Sequence, residues 1–276
     1  MKIIDTVYKK VLEYLAQNDF DTQISEYDVS RNLNIDVHLI MNNPKVKKLF
    51  ELNRNNIDYI LNLKIKDWLK YHFYYVHQGY KYGFPELQQT WLGKNIIKDP
   101  MDCWIQQEII FKQKPDIIIE SGVAFGGASY YYATLMDLIG KDGKVIGIDI
   151  NLDKIMDITH PKIEFIKGSS IDEKLVDELY SKYKNDNVLV ILDSNHEKHH
   201  VLKELELYSK FIKKEHYIIV EDGIFSFLKL FPVPMEGPFE AVQEFLENHD
   251  DFIIDDKLAE KYLITHCPSG YLMRIK

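Results

Sequence analysis

Apolar residues follow two rhythms along this chain, one helical and one strand-like. Near the N-terminus Ile4, Val7, Val11 and Leu15 recur at helical spacing and predict an amphipathic helix. A polar stretch, NDFDTQISEYD, interrupts it, and Asn43-Pro44 opens a second helical region through Leu63. From Tyr71 to Met101 the chain is aromatic and turn-rich, punctuated by Gly79, Gly83, Pro85, Gly93 and Pro100. That pattern predicts a loop or short elements, the kind of segment that carries binding residues over a scaffold. His72 and His77 within it read as structural or surface histidines.

Beyond Met101 the rhythm is regular. A helix is predicted over Asp102–Phe111, a strand over 115–120, a helix from the next glycine-rich turn to about Ile139, and a strand over 144–150. A short helix, a strand over 162–168 and a helix over 171–183 follow. Next comes VLVILDSNH, a run of five branched apolar residues that stops on Asp193-Ser194-Asn195-His196. Such a run reads as a strand buried on both faces, as in a parallel sheet. A helix over 199–212 leads to HYIIVED, which ends the same way on Glu221-Asp222. A Pro/Gly-rich loop over 223–238, predicted as a substrate lid, precedes a helix over 239–249. The tail holds two or three short strands, with Pro268-Ser269-Gly270 as a hairpin signal. Strands alternating with helices mean βαβ units and a mainly parallel sheet. Five parallel strands and a terminal hairpin suit the seven-stranded, Rossmann-like class I methyltransferase form of the α/β fold better than a two-halved dinucleotide fold. Residues 1–75 are expected to form a helical extension, an oligomerisation cap or a substrate cover, and residues 76–276 the α/β domain.

Composition narrows the partners. A net charge of −9 and a pI near 5.6 disfavour a nucleic-acid groove. The two cysteines, Cys103 and Cys267, make neither a disulfide framework nor a zinc cluster. Charges break the first residues every few positions, and no window reaches the roughly 18 apolar residues a membrane span needs. A soluble, cytoplasmic protein with no membrane partner is expected. The 18 Tyr and 14 Phe are explained by core packing, or by a pocket for sugars or other flat polar ligands.

The turn Glu120-Ser121-Gly122-Val123-Ala124-Phe125-Gly126-Gly127 joins a strand to a helix. Its glycine spacing is not the dinucleotide fingerprint and it has no Walker-type Lys-Ser/Thr, which argues against a pyrophosphate cradle and a nicotinamide dehydrogenase. Glu120 would repel phosphate but suits an amine-bearing ligand, and S-adenosylmethionine fits both points. With Gly122 and Gly126 opening the backbone to that ligand, Asp149 at the end of the second strand would accept hydrogen bonds from ribose hydroxyls. Ser169, Ser170 and Asp172 follow the third strand as adenine contacts, although helix capping by Ser170 or Asp172 explains them equally well.

Asp193, Glu221 and Asp222 are hard oxygen donors delivered by two strand ends, the ligand type that Mg²⁺ or another hard divalent cation demands. Adjacent buried acids are costly unless a cation or strong hydrogen bonds neutralise them. His196, beside Asp193, is placed as a general base, whereas His199, His200 and His216 lack that placement. A cation that holds a substrate hydroxyl lowers its pKa, and an imidazole can take the proton as the oxygen attacks a sulfonium methyl.

The order WLGKNIIKDPMDCW, PDIIIESGVAFGGAS, GKVIGIDI, IKGSSID, VILDSNHEKHHVLKELELY, YIIVEDG and GYLMRI resembles the cephalosporin hydroxylase-like / rhamnosyl O-methyltransferase family. That group includes metal-dependent macrolide-sugar O-methyltransferases such as those of mycinamicin synthesis. The resemblance spans roughly Trp91 to Lys276, and D-S-x-H followed by E-D is its most specific part. It implies S-adenosylmethionine, Mg²⁺ at Asp193, Glu221 and Asp222, a base at His196, and homo-oligomers. The expected substrate is a sugar hydroxyl of a glycoconjugate or glycosylated natural product, chelated as a vicinal diol. The sequence departs from the family turn at Ser121 and Ala128, where E-T-G and G-G-S are common. No 2-His-1-carboxylate pattern supports oxygen chemistry. A catechol-type or other small-molecule O-methyltransferase, and a non-catalytic cofactor-binding assembly protein, are the alternatives.

Overall fold

A computed structural model describes residues 2–17, 26–41, 43, 46, 89–155, 157–228, 236–262 and 264–276. The chain divides into two units, Met1–Trp68 and Leu69–Lys276. In the first, the predicted helix is α1 (Lys2–Gln17), which buries Val7, Tyr8, Val11 and Leu15 along one face. Helices α2 (Glu26–Leu33) and α3 (Val37–Met41) add the fully buried Val29 and Ile40. The end of the polar stretch thus lies in α2, because Val29 supplies an apolar contact among its charges. The helical region expected to run from Asn43 to Leu63 lies outside the described residues, Asn43 and Val46 excepted, as do His72 and His77.

The second unit begins, among its described residues, with a small hairpin. Strands β1 (Thr90–Trp91) and β2 (Lys94–Asn95) pair antiparallel across Leu92-Gly93, both at positive φ. Asp99 then caps α4 (Pro100–Gln113), its carboxylate accepting from the Met101 and Asp102 amides, with Pro100 in the first turn where a missing N–H costs nothing. The remaining elements are β3 (Ile117–Ser121), α5 (Gly127–Leu138), β4 (Lys144–Asp149), β5 (Ile163–Lys167), α6 (Glu173–Tyr183) and β6 (Val188–Leu192). They continue with α7 (Lys198–Tyr208), a 3₁₀ turn (Ser209–Phe211), β7 (Tyr217–Val220), α8 (Phe225–Leu228), α9 (Pro238–Asn248), β8 (Phe252–Ile254), α10 (Asp256–Ala259) and β9 (Tyr271–Arg274).

The larger sheet has seven strands in the order β5-β4-β3-β6-β7-β9-β8, the first five parallel and the last two antiparallel. Side chains alternate along each central strand, so each one feeds two cores. Val188, Val190 and Leu192 face the layer of α6, α7 and α9, while Leu189 and Ile191 face that of α4 and α5. Burying each such side chain contributes about 1.5–3 kcal/mol, which is why β6 carries no polar residue.

Two local expectations fail. No helix forms between β4 and β5 among the described residues. Asp149 and Asn151 instead accept the amides of Asn151 and Asp153, each two residues on, and these local bonds compete with helix hydrogen bonding. In the tail, β8 and β9 pair antiparallel but are joined by residues 255–270 rather than by a tight hairpin. Pro268-Ser269-Gly270 forms the turn entering β9, closed by the Gly270 amide on the Cys267 carbonyl.

Helix α4 buries an unusual face. Asp102, Gln106 and Gln113 are buried beside Ile105, Ile109 and Ile110. Asp102 accepts from the Thr265 hydroxyl, the Tyr271 hydroxyl and the His266 amide. Gln113 bonds the Val188 carbonyl and the Tyr217 amide, so this helix ties β6, β7 and the tail together.

Candidate active site

The chain runs outward from β3 through β4 to β5, then returns to lay β6 on the other side of β3. The crevice outside the carboxyl ends of β3 and β6 is the switch point where open α/β sheets bind ligands. Gly122 sits there at φ 80°, and a Cβ on it would lie 1.9 Å from the Asp193 carbonyl oxygen. Glycine is required by contact as well as by conformation. The Asp193 amide in turn donates to the Ser121 carbonyl at 3.0 Å, fastening the two strand ends.

A cavity of about 560 Å³ opens at this point. Its walls include Glu120, Gly122, Asp149, Ile150, Asp193, Ser194, His196 and Asp222. Asp149 organises the turn: its Oδ2 accepts from the Val123 and Ala124 amides at 2.9 and 3.1 Å. Gly126 is the left-handed cap of α5 (φ 83°) and lies outside the lining, where Gly127 takes its place. Glu120 is fully buried: Oε2 accepts from the Ser129 hydroxyl, and Oε1 has no hydrogen-bond partner among the described residues. Burial pushes its pKa up to about 8, against the opposing pull of Lys98 and Ser129.

At the other side of the cavity the two strand-end motifs meet. His196 Nε2 lies 3.4 Å from Asp193 Oδ1 and 3.4 Å from Asp222 Oδ2. Ligand atoms of these three residues all fall within 4.8 Å of one another. Asp222 is held at φ 59°, a conformation costing a non-glycine residue about 1–3 kcal/mol. Burial, with repulsion from Asp193 and Glu221, raises its pKa to about 7 although His196 and Lys98 oppose. Burial pulls His196 down, yet Asp222 and Asp193 outweigh it and leave its pKa at about 9. The His196 ring also packs on Phe225 of α8, with centroids 5.0 Å apart.

Glu221 lines a second, small cavity together with Asp193, Asp222 and Lys98. Its Oε1 accepts from Gln106 Nε2 at 2.6 Å and lies 2.8 Å from Lys98 Nζ, and its Oε2 accepts from the Cys267 thiol at 3.0 Å. Lys98, buried and absent from the residues singled out above, donates to Asp193 Oδ2 at 2.8 Å. Burial disfavours its charge, but Asp193 and Glu221 more than compensate and keep its pKa well above the usual lysine value. A lysine just ahead of a helix cap carries no periodic signal of burial, so the sequence did not mark it.

Ser169, Ser170 and Asp172 do not line the cavity. Asp172 caps α6, accepting from the Lys174 and Leu175 amides, which is the capping alternative. Ser170 Oγ lies 3.1 Å from His200 Nε2 and 3.3 Å from Ser194 Oγ, while Ser194 donates to the buried Glu204 at 2.7 Å. This cluster backs the wall formed by Ser194, so His200 belongs to the site's support. Of the expected lid, residues 229–235 lie outside the described residues; Gly223 to Leu228 form a turn and α8.

The donor chemistry suits the groups the sequence implied. The carboxylates of Asp193 and Asp222, with Glu221 lining the same small cavity, offer the hard oxygen donors a divalent cation takes. The unpartnered Glu120 oxygen fits a cationic amine in the cavity.

Comparison with known proteins gives three findings. The family described as rhamnosyl O-methyltransferase/CmcI matches residues 84–275. A rhamnosyl O-methyltransferase of Mycobacterium bovis is 30% identical over 205 residues, covering 72% of this chain and 83% of that protein. Its counterpart in Mycobacterium leprae is 30% identical over 204 residues, covering 72% and 88%. A solved structure of CmcI with Mg and SAM aligns at a TM-score of 0.53 with 21% identity, over 68% of this chain and 77% of that one. A CmcI structure with SAH aligns at 0.52 with 20% identity, over 68% and 83%. At that identity these two structures show a shared fold.

Proposed function

Since this chain belongs to the rhamnosyl O-methyltransferase/CmcI family, we propose that it transfers the methyl group of S-adenosylmethionine to a sugar hydroxyl held beside Asp193, Asp222 and His196. The fold is the class I methyltransferase form of the α/β fold, and the enzyme is an O-methyltransferase using S-adenosylmethionine. The observation that supports the reading best is the cavity itself. It carries an unpartnered buried carboxylate oxygen on one wall and an acid–imidazole group on another.

In this reading Glu120 binds the ammonium of the cofactor's amino-acid part, and Gly122 lets the ligand approach the crevice. Asp149 offers its remaining lone pairs to the ribose. Asp193, Glu221 and Asp222 would hold Mg²⁺ or a similar hard cation. When bound, such an ion supplies Lewis acidity that lowers the pKa of a chelated hydroxyl. With the charge of Asp193 and Asp222 offset by a cation, the pull that raises the His196 pKa would be relieved. The neutral imidazole then takes the hydroxyl proton at Nε2 as the oxygen attacks the methyl carbon, and the carbon–sulfur bond breaks in line, leaving a neutral thioether. The acceptor is a glycoconjugate or glycosylated natural product presenting two adjacent hydroxyls.

The test is methyl transfer from radiolabelled S-adenosylmethionine to a panel of rhamnosides, with catechol as the flat-diol comparison. H196A should lower kcat about 10²–10⁴-fold while cofactor affinity stays near wild type. EDTA should abolish transfer and added Mg²⁺ restore it. Full activity in EDTA would refute the metal assignment, and methylation of catechol alone would refute the sugar acceptor.

A further inference from the structure

His196 belongs to neither β6 nor α7: residues 193–197 between them form no helix or strand, so its ring must be held from outside. The start of α9 holds the main chain. The Lys198 amide donates to the Glu236 carbonyl at 3.1 Å, and a Cβ on Gly237 would lie 3.3 Å from the His196 carbonyl oxygen. The ring has weaker polar support. Nε2 stands 3.4 Å from both Asp193 Oδ1 and Asp222 Oδ2, beyond the roughly 2.7–3.2 Å of a well-formed N–H···O bond. No hydrogen bond among the described residues reaches Nδ1. A bond from the second ring nitrogen to a fixed acceptor is the usual way an imidazole is oriented. Here a flat apolar face stands in its place. The Phe225 ring packs on the imidazole with centroids 5.0 Å apart and planes 33° from parallel, and both residues line the cavity. Phe225 is itself anchored on both sides. Its amide donates to the Asp222 carbonyl at 3.1 Å, and the amide of the buried Ile224 to the His266 carbonyl at 3.1 Å. The Ser226 hydroxyl donates to Glu240 Oε2 of α9 at 2.5 Å. We propose that Phe225 is a positioning residue for His196, a fixed aromatic face that keeps the imidazole in the orientation from which Nε2 reaches an acceptor hydroxyl. The phenyl ring suits this task better than the acids do, because carboxylates occupied by a cation would no longer steer the imidazole.

This inference rests on the reading of His196 as the base given under Proposed function. The experiment pairs crystal structures of the whole chain with S-adenosylhomocysteine and initial rates on a rhamnoside, for wild type, F225A, F225L and F225Y. In F225A the imidazole should turn or spread over several rotamers, and kcat should fall about 10–100-fold. The acceptor KM and the S-adenosylhomocysteine affinity should change little. F225Y, which keeps the flat ring, should restore the wild-type rotamer and rate, whereas F225L, apolar but not flat, should not. In an H196A background the loss of Phe225 should cost nothing further, since no imidazole is left to hold. An imidazole that keeps its wild-type rotamer in F225A and F225L overturns the proposal, whatever the rate. So does a rise in KM at unchanged kcat, which would make Phe225 a wall for the acceptor only, and so does a kcat loss that persists in full beside H196A. If S-adenosylhomocysteine affinity falls in step with kcat, F225A has damaged the fold, and the comparison of F225L with F225Y decides. The rotamer is read without an acceptor, so the proposal stands or falls on it even if no rhamnoside is methylated. An H196A protein with the wild-type rate overturns the base reading and this proposal together, whereas a slow H196A beside a fully active F225A overturns this one alone.

Discussion

Burial raises the pKa of Glu120 to about 8 against the pull of Lys98 and Ser129, so without a cationic partner it is mostly protonated at neutral pH. Its folded pKa lies above the ordinary value of 4.5. Its contribution to stability is therefore fully present below about 4.5 and is lost as pH rises towards 8. E120Q should leave stability unchanged at pH 4 and raise it at pH 7 by on the order of 3 kcal/mol, read as a higher Tm. The same substitution should weaken S-adenosylmethionine binding about 10–100-fold, because a charge-assisted bond is lost. Wild type should release a proton on binding between pH 6 and 8, seen as a dependence of the calorimetric enthalpy on buffer, and E120Q should not. Asp193 and Glu221 were legible in the sequence because each follows directly on a buried apolar run, with His196 and Asp222 close behind. Their partners were not legible: Glu221 bonds Lys98 and Gln106, Asp222 lies beside His196, and both acids line one small cavity with Asp193.

Helix α4 shows how far periodicity carries at the scale of an element. A helix was expected over Asp102–Phe111; it runs from Pro100 to Gln113, with Asp99 as its cap and Ile105, Ile109 and Ile110 on its buried face. Which polar residues share the buried face depends on partners far along the chain, and Asp102 finds all of its partners between Thr265 and Tyr271. D102A strands two hydroxyls and one amide in the interior. It should cost about 2–4 kcal/mol of stability, read as a drop in the denaturant midpoint at unchanged slope. Where local bonds dominate, the pattern misleads in the other direction. A short helix was expected after β4, but Asp149 and Asn151 bond the backbone two residues on and hold residues 149–153 in a non-helical conformation. Ser170 and Asp172 show the same competition, one recruited to a hydroxyl–imidazole cluster and the other to a helix cap.

Over the whole molecule, the parallel sheet was legible because its five strands are separated by helix-length segments; the antiparallel strands at the far edge were legible as short tail strands, but not the long connection between them. The strand order was not, since it is set by the return of the chain to the other side of β3. That return matters most for function, because it brings Asp193 against Gly122 and joins Glu120 and the acid–imidazole group in one cavity. No helix among the described residues is long and apolar enough to cross a membrane. The position of Glu120 has a consequence across a full catalytic cycle. In the proposed binding mode, methyl transfer discharges the sulfonium but leaves the ammonium of the amino-acid part intact, so the group facing Glu120 would be identical before and after the reaction. The spent thioether would keep its ionic handle and compete with fresh methyl donor for the cavity. Progress curves should bend early and straighten when a hydrolase destroys S-adenosylhomocysteine, making product clearance a control on this enzyme's turnover.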